Sequence, residues 1–214
     1  MRFKIIIILF LSLIITSCNL NRLRGNGSMD EISKDLDAFE GIDIDGSYNV
    51  KVYVGKSPSI IVKAEDNLIE FIETKIVNDI LKISNTRQLS PTEDIELIIT
   101  TNELAFLESS GANNISVNKI TTKQFKLNFN GAGSIKLVGR AKDFVANISG
   151  AGSLDAKELK SQHVDISISG AASADVFALK SLDAVVSGVA AIDYYGNPEE
   201  IHKSVSGLAT ISQK

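Results

Sequence analysis

The chain has 214 residues, 22 Lys and Arg against 26 Asp and Glu, a formal net charge of −4 and a pI near 5.3. Its lysines are scattered, so it offers no basic surface for nucleic acid. A single cysteine excludes a disulfide framework and any multi-cysteine metal site, and the length suits one domain with an unlike N-terminal part.

The N-terminus reads as an address. Met1-Arg2-Phe3-Lys4 is a short positive start, and Ile5 to Ile15 is an apolar run too short to serve as a dependable membrane span. It ends in Ile15-Thr16-Ser17-Cys18, which resembles the bacterial lipobox, where small residues precede a cysteine that is acylated and becomes the mature N-terminus. Residues 1–17 are therefore expected to be a lipoprotein signal peptide. Without them the chain keeps 20 basic and 26 acidic residues, a net charge of −6. Acyl chains on Cys18 would hold it to a membrane, outer membrane by expectation, with no spanning helix. Residues 18–37 are expected to be the lipidated cysteine and a flexible tether, because Asn19 to Asp30 is polar and contains glycine.

From Phe39 the pattern turns to strand. Ile42 and Ile44 alternate, Gly46-Ser47 makes a turn, and Tyr48, Val50, Val52 and Val54 alternate again. Ser59 to Ala64 is another strand, and Glu65 to Leu68 a turn or one helical loop. Ile69 to Val77 and Ile80 to Ser84 read as a hairpin about Asn78-Asp79. Thr86 to Thr92 is a loop, and Asp94 to Thr101 a strand. Residues 38–103 thus form irregular strands and hairpins, and parallel stacks need such a covered end.

From Leu104 a short phrase recurs around Gly111, Gly131, Gly150, Gly170, Gly188 and Gly207, at spacings of 20, 19, 20, 18 and 19 residues. A period this steady means one structural unit stacked on itself. Two, four and six residues before each glycine the side chains are mostly apolar, as in Phe125, Leu127 and Phe129. Four and six after it they are apolar again, as in Ile135 and Leu137. This is period-2 alternation on both sides of a glycine that permits a corner. Residues 104–214 are expected to be regular coils of about 19 residues in an all-β, right-handed parallel β-helix, with 38–214 as a single solenoid domain.

The opening Phe39-Glu40-Gly41-Ile42-Asp43-Ile44-Asp45-Gly46-Ser47-Tyr48-Asn49-Val50, the strand Asp79-Ile80-Leu81-Lys82-Ile83 and the repeated Ser-Gly-Ala phrases give residues 38–213 a resemblance to a known family. These are the Bacteroidetes-type lipoproteins described as "putative auto-transporter adhesin, head GIN domain". The resemblance implies a β-helical fold and supplies no catalytic residues.

Candidate chemistry is sparse. His163 and His202 fall in different columns and read as exposed solvent-face residues. Serines before the glycines have no repeated base beside them, and the glycine phrases lack the Lys-Ser/Thr of a phosphate cradle. Five residues after their glycines, Asp155, Asp175 and Asp193 would stack about 4.8 Å apart, with Lys136 on the coil before. Unpaired like charges repel, and a Ca²⁺ ion takes such carboxylates. Tyr194-Tyr195 is the one paired aromatic, Tyr194 inward and Tyr195 outward.

Two functions follow as expectations. One is a non-enzymatic binding, adhesin-like or scaffold module anchored through Cys18. It would meet a protein or glycan partner, or a second copy of itself, through a solenoid face or edge. The other is a Ca²⁺-dependent polysaccharide-active enzyme with Asp155, Asp175 and Asp193 as cation ligands and Lys136 or Arg140 as base.

Overall fold

The computed structural model describes residues 22–214, so the leader and Cys18 lie outside the described residues. The described chain is all-β. Its strands are β1 (Leu23–Arg24), β2 (Met29–Asp35), β3 (Gly41–Gly46), β4 (Asn49–Val54), β5 (Ser59–Glu65), β6 (Ile72–Val77), β7 (Ile80–Asn85), β8 (Leu89–Ser90), β9 (Glu96–Thr101), β10 (Phe106–Tyr195) and β11 (Glu200–Gln213). A single helical turn, α1 (Asp66–Ile69), interrupts them.

β10 is one continuous run of 90 residues. Drawn out straight at about 3.3 Å per residue it would reach roughly 300 Å. It returns on itself instead. The backbone of Gly131 sits directly against Gly111, Gly150 against Gly131, Gly170 against Gly150, Gly188 against Gly170, and Gly207 of β11 against Gly188. β11 pairs with β10 in parallel, from Ser181↔Glu200 to Tyr194↔Gln213, an offset of 19 residues. Chain separation of one period therefore becomes backbone contact.

The glycine file begins earlier than the repeat pattern reveals, because Gly46 lies against Gly111 across a gap of 65 residues. β3 pairs in parallel with the start of β10, Phe106↔Gly41 to Gly111↔Gly46, and β4 follows with Asn114↔Asn49 to Asn118↔Tyr53. On their other sides β3 carries β7 and β4 carries β9, both parallel. The chain lays down β3 and β4 first, adds β7 and β9 outside them, then crosses back to build β10.

The N-terminal half departs from a uniformly parallel stack. β5 runs antiparallel to both β9 and β2, and β6 antiparallel to β7. The result is a mixed nine-stranded sheet beside a two-stranded β1–β8 pair. Local turn chemistry explains one antiparallel pair. Asn78 and Asp79 have φ of 53° and 59°, the left-handed pair that joins tightly twisted hairpin strands. The expected tether is likewise folded where it is described: Met29–Asp35 is β2, zipped to β5 from Met29↔Glu65 to Asp35↔Ser59.

The inward columns behave as their alternation requires. Phe125, Phe129, Phe144, Leu127, Leu137 and Ile166 are fully buried, and Phe125 and Phe144 stack tilted with centroids 6.2 Å apart. On β11 the same columns end in Ile201, Lys203 and Val205, all exposed. Lys203 folds over the end of the core, its Nζ 3.3 Å from the Tyr194 hydroxyl and 4.6 Å from that ring's centroid. A charge at an inward position is a device by which sheet edges resist further pairing.

Gly170 combines two constraints. Its φ is +140°, which L side chains rarely adopt, and a β-carbon there would collide with the Gly150 carbonyl oxygen. At Gly55 φ is +89° and the space is open. Gly170→Ala is therefore expected to cost roughly 3 kcal/mol or more, and Gly55→Ala only about 1–2. Urea unfolding of both variants checks this; equal losses would mean that the file is not close-packed.

Candidate functional site

The outward side chains of successive passes form ladders. Along one, Ser134 Oγ donates to Asn114 Oδ1 at 2.9 Å, Asn114 Nδ2 donates to Asn49 Oδ1 at 3.1 Å, and Asn49 Nδ2 donates to Asp94 Oδ2 at 3.0 Å. Asn49, Asn114 and Ser134 each lie three residues after a glycine of the file, so the parallel register places them side by side. The ladder separates two hollows. One, of about 500 Å³, is bounded by Lys51, Glu96 and Lys136 beyond the ladder, with Val50 and Ile115 at its floor. The other, of about 200 Å³, lies toward Ser47, Tyr48 and Pro91. Lys51 is bonded to Glu96, and Lys136 Nζ sits 2.8 Å from Glu158.

This groove is not among the sites expected from the sequence. Its signal was available: counting from Gly46 as from the other glycines would have aligned Asn49 with Asn114 and Ser134. Asp94 carries no such mark, because only the β4–β9 pairing brings it there.

The acidic column is arranged differently from the expected cation site. Lys157 Nζ lies 3.4 Å from Asp155 and 3.7 Å from Asp175, and Lys214 lies 3.3 Å from Asp193. The lysines stand two positions along from the carboxylates or at the chain's last residue, where the outward face brings them alongside. Asp155, first of all, holds the Lys157 ammonium above its usual range. Among the described residues no three His, Cys, Asp or Glu groups converge to hold a metal. Lys136 turns to Glu158 rather than to the aspartates, and Arg140 is exposed.

His163 is half-buried rather than exposed, its Nδ1 2.8 Å from Ser181 Oγ; His202 is exposed. Tyr194 points inward and is buried, as its column requires, while Tyr195 is only partly covered.

A buried carboxylate that the sequence did not mark holds the covered end together. Glu65 is fully buried. Its Oε1 accepts from Gly27 N at 2.6 Å and from Thr92 Oγ1 at 2.5 Å, and its Oε2 accepts from Thr92 N at 2.9 Å. Gly25 passes so close that a β-carbon would strike the carboxylate. Burial alone would push this carboxyl up; the donors from Thr92 and Gly27 outweigh it and hold it below its ordinary value of 4.5. Nearby, Asn67 Nδ2 donates to the Arg24 carbonyl at 2.9 Å, fixing β1 over α1.

No described helix is long and apolar enough to cross a membrane. The family model described as "Putative auto-transporter adhesin, head GIN domain" matches residues 38–198. A search of curated proteins finds no match. Among solved structures, a putative adhesin from Bacteroides fragilis superposes with a TM-score of 0.72 at 21% identity, over 90% of this chain and all of that one. A putative adhesin from Parabacteroides distasonis gives 0.56 at 16%, over 91% and 100%. A putative lipid binding protein from the same species gives 0.50 at 20%, over 90% and 99%. At these identities the likeness is one of fold.

Two outcomes follow from the geometry. Millimolar Ca²⁺ is expected to leave the Tm unchanged, because lysines already neutralise the aspartate column; a calcium-dependent rise would restore the cation reading. Folding depresses the pKa of Glu65, so its clamp contributes above the ordinary value of 4.5 and is lost as pH falls through the folded value. Glu65→Gln is expected to cost roughly 1–3 kcal/mol at neutral pH and to flatten the acid limb of stability against pH, read by chemical unfolding at several pH values.

Proposed function

The chain belongs to the head GIN domain family of putative auto-transporter adhesins, and from that premise we propose that it is a non-enzymatic, adhesin-like binding module of the cell envelope, held to a membrane through a lipid on Cys18. The observation that carries this reading is the set of exposed ladders. Asn147 donates to Asn128 at 3.2 Å, Ser149 to Asn130 at 3.0 Å, and Ser134 opens the chain that ends at Asp94. Outward polar side chains that are held by one another present a rigid surface whose ordering cost is already met before a partner arrives.

The repeat region is read as a right-handed parallel β-helix. Supporting this are the 19-residue parallel offset of β11 on β10, the glycine file, and the strong preference of parallel crossovers for one hand. The partner is taken to meet a face of this rod, because the exposed ladders lie there. The anchor reading rests on the apolar run, the small residues before Cys18 and the absence of any other cysteine from the chain.

The test is fractionation of cells expressing the wild type and Cys18→Ala. The wild type is expected to stay with membranes through a high-salt wash, and Cys18→Ala to move to the soluble fraction. Retention of Cys18→Ala on membranes would overturn the anchor.

A further inference from the structure

We infer that the groove bordered by the Asn49–Asn114–Ser134 ladder binds a neutral oligosaccharide, with the sugar chain lying along the stack. This deepens the binding-module reading and rests on it. The ladder's hydrogen-bond inventory is not exhausted. A primary amide has two N–H donors and a carbonyl acceptor. In the ladder Asn49 and Asn114 each spend one N–H on a neighbour, and each carbonyl accepts one bond. Each amide keeps one N–H, each carbonyl oxygen keeps a lone pair, and Asp94 keeps its second oxygen. The orientation of each amide is settled by its neighbours, so donors and acceptors alternate at fixed places along the groove. Sugar hydroxyls both donate and accept, and adjacent hydroxyls match such an alternating set.

Lys51, Lys136, Asp94 and Glu96 all line the larger hollow, so its formal charge is zero. Lys51 is already bonded to Glu96, and Lys136 to Glu158. No cation is left to repay the desolvation of a phosphate or uronate, whereas a ligand of many hydroxyls and no charge meets no such cost.

The hollow of about 500 Å³ is within the range of small-ligand sites. The hollow of about 200 Å³ continues it across the ladder, with Asn49, Asp94 and Asn114 common to both. The larger hollow is lined from the passes that carry Asp94, Asn49, Asn114 and Ser134, so it runs along the stack beside the ladder. Parallel passes repeat every 4.7–4.9 Å, close to the length of one pyranose, so a sugar chain along the axis meets one ladder residue per unit.

The experiment uses the full lipidated protein in detergent micelles, titrated calorimetrically with cellotetraose, tetra-N-acetylchitotetraose and, as the charged control, tetragalacturonate. Saturable binding of a neutral tetraose, with tetragalacturonate at least roughly tenfold weaker, is expected. Asn114→Ala is expected to weaken it about tenfold. Asn114→Asp keeps the shape while removing the donor and adding a charge, and is expected to do the same with an unchanged circular dichroism spectrum. Ser173→Ala, in the same column farther along the stack, is expected to leave affinity unaltered. Failure of both neutral tetraoses to bind, stronger binding of the galacturonate, or full affinity in Asn114→Asp would each overturn the assignment. The Cys18→Ala fractionation is independent of these titrations, so the groove can fall while the anchored-module reading stands.

Discussion

Close approach of backbone to backbone along one file of glycines is the constraint on which the structure depends. From Gly46 through Gly207, each glycine after the first packs its backbone against the carbonyl of the one before, at a distance that no β-carbon would tolerate. That contact sets the period of the chain and fixes the register of its passes. Once register is fixed, every other position falls into a column. Phe125 meets Phe144 inside, Asn128 meets Asn147 outside, and Asp155 comes beside Asp175 with Lys157 between them. Hydrophobic burial supplies the driving force, but the glycines decide which residues share it.

Among the described residues, the first and last passes of the stack are treated differently. The first is covered by antiparallel pairing: β5 runs opposite to β9 with β2 reversing again beyond it, and β6 runs opposite to β7. Its seam is closed by Glu65, a buried carboxylate whose position is tolerable only because Gly27 and Thr92 supply donors. At the last described strand, no opposing strand is present among the described residues. There the inward column ends in Lys203, whose ammonium lies over the Tyr194 ring. Backbone cover at one end and a charge at the other are separate answers to unpaired strand edges.

The outer surface shows how repetition constrains chemistry. Like residues brought one above another repel when charged and cooperate when they carry both donors and acceptors. The asparagine and serine columns therefore bond along their own length, while the aspartate column needs interleaved lysines. This difference moves attention from Asp155, Asp175 and Asp193 to the amide ladder at Asn49 and Asn114, where neutral polar groups border a groove.

Much of this was readable from residue order. Period-2 alternation about the glycines marks which side chains are inside, because a strand turns alternate residues to opposite faces wherever it lies. The same counting marks Asn78-Asp79 as a hairpin turn. The aspartate column is visible too, but not its neutralisation, because Lys157 and Lys214 stand outside that column and reach it only through space. Gly46 was hidden as a member of the file by the 65 residues before Gly111. Glu65, Asp94 and the fold of Met29–Asp35 left no local trace, since each depends on pairing between segments tens of residues apart. Sequence by itself therefore determined the repeat, its period and its buried face, which follow from short-range stereochemistry. Only the tertiary structure decided the mixed sheet, the clamp and the groove, because those are set by which distant backbones hydrogen-bond to each other.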